Sequence, residues 1–189
     1  MRNIVFFLEE PSAQEMLEGL LSKIVPPEIN IRYLVFRGKQ DLEKNLFRRL
    51  RGWILPNSSF LVLRDQDSGD CAIIKKKLAD ICESTGKKGV LVRIACRELE
   101  SFYLGDLEAV EKGLEINRIS SLQGKKKYKN PDRLENPSEE LYHLTKNKYQ
   151  KVLGSKAIGP HLKLEGNKSH SFCVLLEGIR KLTEHDFAE

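Results

Sequence analysis

Apolar positions along this chain alternate between two rhythms. Asn3 to Leu8 (NIVFFL) is a short continuous apolar run, the pattern of a strand buried on both faces. Ala13 to Ile24 then repeats apolar residues at helical spacing: Met16, Leu17, Leu20, Leu21 and Ile24. Ser12 is the predicted N-cap of that helix, with Glu15 closing a capping box, and Pro26-Pro27 stops it. Ile31 to Phe36, β-branched and aromatic, predicts a second strand that breaks at Gly38. Asp41 to Arg51 returns to helical spacing through Leu42, Leu46, Phe47 and Leu50. Phe60 to Leu63 predicts a third strand, Ala72 to Cys82 a helix, and Val90 to Ala95 (VLVRIA) a fourth strand. Helical patterns follow at Glu98 to Leu104 and Leu107 to Leu114, parted at Gly105-Asp106, and a last one runs from Ser171 to Leu182.

Strands taking turns with helices predict a mainly parallel, three-layer α/β sheet of about four strands. After residue 117 the texture becomes polar (QGKKKYKNPDRLENPSEE). We therefore expect an α/β core over 1–116, and over 117–189 a basic appendage whose final helix packs back on the core. No internal repeat is visible.

Composition narrows the class. Hydrophobic residues make up 40% and charged residues 31%, enough to bury a core. No apolar run is long enough to span a bilayer, and the N-terminal run meets carboxylates with no small-residue cleavage site, so it reads as a strand rather than a signal peptide. The four cysteines (Cys71, Cys82, Cys96, Cys173) form no C-x-x-C pair and have no histidine at ligand spacing. This predicts free core thiols, no structural zinc, and a reduced, cytoplasmic protein without membrane association.

Charge is uneven. The net charge is +5, but Arg118 to Lys163 holds eleven Lys or Arg against four acids, +7, leaving −2 for the rest. Lys125, Lys126, Lys127, Lys129 and Arg133, with Tyr128 interleaved, have a composition that suits a polyanion: cations for phosphate, an aromatic for a base. Lys151 and Lys156 are further candidates for phosphate contact. No base-reading motif is visible, so little sequence specificity is expected of a nucleic-acid partner. A solvated lysine-rich face is the plain alternative.

The most informative stretch is FLVLRDQDSGDC, where an apolar strand runs into Asp65, Asp67 and Asp70. In parallel sheets ligands bind beyond the carboxyl ends of strands. The first strand also ends in acid, at Glu9 and Glu10, and the fourth runs into Glu98 and Glu100. Carboxylates brought to one rim repel unless neutralised, and Mg²⁺ (or Mn²⁺ as its surrogate) with water and substrate phosphate does this. If the backbone stays extended, Asp65 and Asp67 point the same way. Asp70 is better placed as a helix N-cap, and a lone D-x-D is also often only a cap or loop acid. A calcium loop fits poorly, because its glycine falls one position early and Lys76 stands at its twelfth position. An aspartyl-phosphatase would carry its D-x-D after the first strand, not the third. Nothing reads as a nucleotide-binding glycine loop. Lys39, after the second strand, faces either this rim, where it would offset developing charge, or solvent. Arg64, inside an apolar run, is expected to pair with an acid. Trp53, Phe102 and Tyr103 are expected in the core. His161 and His170 are acid/base candidates or surface residues.

L-E-E-P-S after the first strand and D-Q-D after the third resemble the Toprim arrangement, shared by primases, topoisomerases and overcoming-lysogenization-defect nucleases. That resemblance implies an acid/base glutamate at Glu9 and Mg²⁺ binding at Asp65 and Asp67. Glu10 stands where the family usually has glycine, which leaves open which glutamate acts. FRGKQDLE, VLRDQDSGDC, VRIACRELESFYLGD, KNPDR, YQKVLGSKAI and SHSF together resemble the bacterial domain-of-unknown-function 4276 family, regarded as Toprim-like and often encoded beside ABC-type ATPases in defence-like contexts. The resemblance implies a Mg²⁺-dependent nuclease, or else a non-catalytic module that partners an ABC-type ATPase. Glu98 is favoured as a further metal ligand by position, and Glu100 as a site carboxylate by resemblance. The nuclease reading casts Glu9, Lys39 and Glu100 as the catalytic set.

Overall fold

Alternation along the strands explains how the sheet is sandwiched. In the computed structural model, which describes residues 1–184, β1 (Arg2–Leu8) sends Ile4, Phe6 and Leu8 to one face and Val5 and Phe7 to the other. β3 (Ser58–Asp65) does the same with Leu61 and Leu63 against Phe60 and Val62. β2 (Ile29–Val35) and β4 (Leu91–Ala95) flank them, giving the order β2-β1-β3-β4 with every pair parallel. Continuous apolar runs and parallel pairing go together because helices cover both faces.

On one face lie α2 (Lys39–Arg51) and α3 (Cys71–Ser84), whose Leu42, Leu46, Leu50 and Leu78 meet Val5, Phe7 and Val62. The other face carries α1 (Pro11–Leu21), α4 (Glu100–Leu104), α5 (Leu107–Gly113), α6 (Pro137–Leu144), α7 (Lys151–Ile158) and α8 (His170–Glu184). A single hydrophobic cluster there runs from Ile4 and Leu17 through Phe102 and Tyr128 to Ile158 and Leu182. Phe102 and Tyr103 are core residues, and Trp53 is half-buried with its indole N–H donated to Ser58 Oγ at 2.9 Å. Residues 185–189, the end of the expected C-terminal segment, lie outside the described residues. No helix among the described residues is long and apolar enough to cross a membrane.

Three local expectations are corrected. Ser12 is not the N-cap of α1: the helix starts at Pro11 with Glu10 before it, and Ser12 Oγ donates to Glu10 Oε1 at 2.8 Å. Proline at the first helical position supplies the right φ and lacks the N–H that a cap would satisfy, so it sets the start. α4 begins at Glu100 rather than Glu98, which stays in the bend after β4. The expected interleaved aromatic of the basic stretch, Tyr128, is buried, with its hydroxyl on Glu140 Oε1 at 2.5 Å. Packing has taken its ring, so it offers no platform for a base.

Candidate functional site

β1 and β3 are neighbours, so their carboxyl ends deliver acids side by side. Glu9 Oε2 accepts the backbone N–H of Asp65 at 3.1 Å and lies 3.8 Å from Arg64 Nε. Arg64 is 6% exposed and places Nη1 3.0 Å from Glu43 Oε1 on α2. A buried guanidinium needs such partners, so Arg64 takes the pairing role expected of it.

Asp65 is 7% exposed, and its carboxylate has no hydrogen-bond or ion-pair partner among the described residues. Burial first, and then the charges of Glu10, Glu100 and Glu9, push this carboxyl well above the ordinary range, against the pull of Lys151. Glu100 is fully buried on α4. It takes the Tyr149 hydroxyl on Oε1 at 2.8 Å, while its Oε2 has no hydrogen-bond partner among the described residues. Burial raises its pKa, opposed by Lys151 and Tyr149. Glu10 Oε1 lies 2.8 Å from Lys151 Nζ. Burial alone would lower the pKa of Lys151, but the hydrogen bond to Glu10 and the charges of Glu100 and Asp65 outweigh it and raise it.

Asp67 belongs to a different neighbourhood. The extended backbone ends at Asp65, and Asp67 adopts φ 55°, so the two carboxylates do not share one direction. The Asp67 N–H donates to Arg97 O at 2.7 Å, and its side chain, 34% exposed, lies 2.9 Å from Lys39 Nζ. Glu9 joins the two neighbourhoods. Burial raises its pKa first, the Asp65 N–H opposes this, and Asp67 then adds to the rise. Glu98 is half-buried, and its Oε2 accepts the Ser138 N–H of α6 at 2.8 Å. It lines a cleft of about 340 Å³ with Asp67, Ser68, Arg97, Glu135 and Asn136. Asp70 caps α3, accepting from Ile73 N at 2.9 Å.

The donor set, carboxylates without thiol or imidazole, is the kind that holds a hard cation. The open oxygen of Glu100 is a buried acceptor, and Asp65 a largely buried carboxylate, that such a charge would satisfy. As the side chains stand, however, no three His, Cys, Asp or Glu among the described residues form a metal-holding group. Lysines engage Asp67 and Glu10 instead.

The basic candidates divide. Lys151 reaches the acids. Lys156 sits 3.6 Å from Glu15. Lys125, Lys126, Lys127, Lys129 and Arg133 are exposed, with Lys127 paired to Glu140. His161 and His170 are exposed. Sequence reasoning gave Tyr149 no role in the site, noting it only within YQKVLGSKAI, and placed Lys151 among phosphate contacts. Neither carries a local signal, because the bond from Tyr149 to Glu100 spans 49 residues.

A search of solved structures aligns the chain with the C-terminal region of the Burkholderia pseudomallei OLD protein. The TM-score is 0.58 and the identity 17%, covering 95% of this chain and 98% of that one. With the sheet order above, this makes the fold Toprim-like, as expected from the sequence. No curated protein matches the sequence. The family model described as domain of unknown function (DUF4276) matches residues 8–180, which takes in every acid of the rim and Lys151. The chain belongs to the domain-of-unknown-function 4276 family.

Proposed function

We propose that this chain is a divalent-metal-dependent phosphodiesterase of nucleic acids, working beside an ABC-type ATPase in a cytoplasmic phage-defence system. One observation carries the enzymatic part: Asp65 is a buried, unpartnered carboxylate among Glu9, Glu10 and Glu100, where two central parallel strands end. Native chains rarely leave such a group uncompensated unless a site uses it. The likeness to the OLD C-terminal region supports the reading at the level of fold.

Glu9, Asp65 and Asp67 would hold Mg²⁺ or Mn²⁺, with Glu98 beside Asp67 as a further donor. When bound, that cation supplies Lewis-acid polarisation and counter-charge for a departing oxygen. Glu9 and Glu100 hold protons more tightly than ordinary glutamates, which suits them to proton transfer. Lys39 and Lys151 bring positive charge to the same rim and would face a phosphate. Lys125, Lys126, Lys127, Lys129, Arg133 and Lys156 would steady the backbone without reading bases.

A second reading, the non-catalytic ATPase-partner module, is favoured by one feature. Glu9, Glu10 and Asp67 each lie near a cation of the chain itself: Arg64, Lys151 and Lys39. Calorimetric titration with Mn²⁺ tests the metal site, and cleavage separates the two readings, since a module can hold metal without turnover. The wild type should bind saturably and Asp65→Asn/Asp67→Asn should not, while Asp67→Asn should abolish cleavage of DNA or RNA. Undiminished cleavage by Asp67→Asn would sink the catalytic assignment.

A further inference from the structure

The edge of the sheet away from β4 carries a basic groove. It is a cavity of about 440 Å³ lined by Leu34, Val35 and Phe36 at the end of β2, by Arg37, and by Asp41, Asn45, Arg48 and Arg49 on α2. Three exposed guanidiniums face one carboxylate there, a local charge of 3 − 1 = +2. Asp41 is already engaged. It accepts the Arg37 N–H at 2.9 Å and the Asn45 amide at 2.6 Å, and these bonds and the nearby arginines hold its pKa down. Asn45 in turn accepts from Arg48 Nη2 at 3.0 Å, so this guanidinium is held in place. None of the three arginines has an ion-pair partner among the described residues.

The groove is tied to the acid centre through backbone. Phe36 N donates to Leu8 O at 2.8 Å and Gly38 N to Glu9 O at 3.0 Å, so the loop bearing Arg37 is bonded to the strand end that presents Glu9. Gly38 turns that loop with φ 90°, and Lys39, next in the chain, reaches Asp67. Along α2, Arg48 lies nine residues beyond Lys39, ~14 Å at 1.5 Å per residue, about the axial rise of four base pairs of a duplex.

We infer that the Arg37–Arg48–Arg49 groove binds the phosphodiester backbone of the nucleic acid on the β2 side of the acid centre. This rests on the nucleic-acid reading above. Arginine forks match phosphate geometry, and the apolar strip of Leu34 and Val35 leaves room for sugar rather than for base-edge hydrogen bonds. The site therefore adds affinity and register without sequence preference.

The test uses the full chain, a fluorescein-labelled duplex and a labelled single strand of RNA, in EDTA to prevent turnover. Anisotropy is read from about 50 to 200 mM salt, the range over which phosphate contacts dominate. In Arg37→Gln/Arg48→Gln/Arg49→Gln, affinity at low salt should fall at least roughly tenfold. The slope of log K against log salt should shrink by up to ~2.7, about 0.9 for each phosphate that an arginine no longer neutralises. Arg37→Lys/Arg48→Lys/Arg49→Lys, which keeps the charge, should retain the slope, and circular dichroism should show both variants folded. If the wild type binds and the glutamine variant keeps its affinity and slope, the groove is not on the nucleic-acid path and serves another surface, such as an acidic protein partner. The inference then falls while the nucleic-acid reading stands. If the wild type binds neither probe at low salt, both fall. Loss of the slope in the lysine variant would also overturn it.

Discussion

Asp65 concentrates the electrostatic cost of the site in one side chain. Glu9, Asp65 and Glu100 all hold their protons to higher pH in the fold than when unfolded. Between the unfolded values near 4 and the raised folded ones, the folded state binds more protons. Stability from these groups is therefore complete at about pH 4 and lost as pH rises through the folded values. Glu108, pulled down to about 2 by Lys112 and Lys163, acts oppositely, but its contribution is lost only on acidification below the ordinary glutamate range. In chelator, the melting temperature should thus decline from about pH 5 to 8. Asp65→Asn should flatten that decline and raise stability near neutrality by ~1 kcal/mol, about 2–4 °C for a chain of this size. A flat wild-type profile together with an unchanged Asp65→Asn would mean that the carboxylate is compensated after all. At this scale the meeting of Glu9 and Asp65 at neighbouring strand ends was legible, because acid after an apolar strand is a local pattern, whereas the turn that takes Asp67 to Lys39 was not. Lys151 was legible only as a positive charge. Nothing near it in the chain says that it will meet Glu10.

Elements were legible by period, and their ends less so. Backbone pairing runs past the apolar signal: β2 begins two residues before it and β3 likewise, because the parallel ladder to β1 takes in polar Asn30 on one side of Asn3 and Ser58 on the other. Two of the resemblance segments, KNPDR and SHSF, prove to be in direct contact: the Asp132 carboxylate accepts from Ser169 Oγ at 2.6 Å and Ser171 N at 2.7 Å, fixing the start of α8. Helix-to-helix approach was not legible at all. α1 lies so close to the turn after α7 that a Cβ on Gly19 would stand 2.5 Å from Pro160 Cδ and 2.6 Å from its backbone nitrogen. Alanine is the better helix former, so propensity alone would make Gly19→Ala stabilising. The close approach reverses the sign, because backbone must move. We expect Gly19→Ala to cost ~1–3 kcal/mol in urea unfolding. An equally stable variant would show that the α1–α7 seam has room to give.

At the scale of the molecule, the acid centre is assembled from distant parts of the chain. β1 and β3 supply Glu9 and Asp65, and the segment leading into α7 supplies Tyr149 and Lys151. Because one hydrophobic cluster joins α1, α4, α5 and α7, the centre exists only when the whole fold does. Any ligand of the centre should therefore stabilise the entire chain and not one segment of it. Binding to the folded state alone adds RT ln(1 + [L]/Kd), ~2.7 kcal/mol at a hundredfold excess over Kd. That corresponds to a rise on the order of 5–10 °C in the melting temperature. Under the enzyme reading, Mn²⁺ should produce this rise in the wild type, shift the single transition as a unit, and leave Asp65→Asn/Asp67→Asn where it was. The gain should also grow from about pH 5 to 8, because the cation must compete with the protons that Glu9 and Asp65 hold. If instead Asp67, Glu10 and Glu9 serve only to pair with Lys39, Lys151 and Arg64, Mn²⁺ should leave the melting temperature unmoved at every pH. The double substitution decides the case even where the rise is small, since a cation held loosely at surface carboxylates such as Asp80 or Glu139 would give a gain that it does not remove.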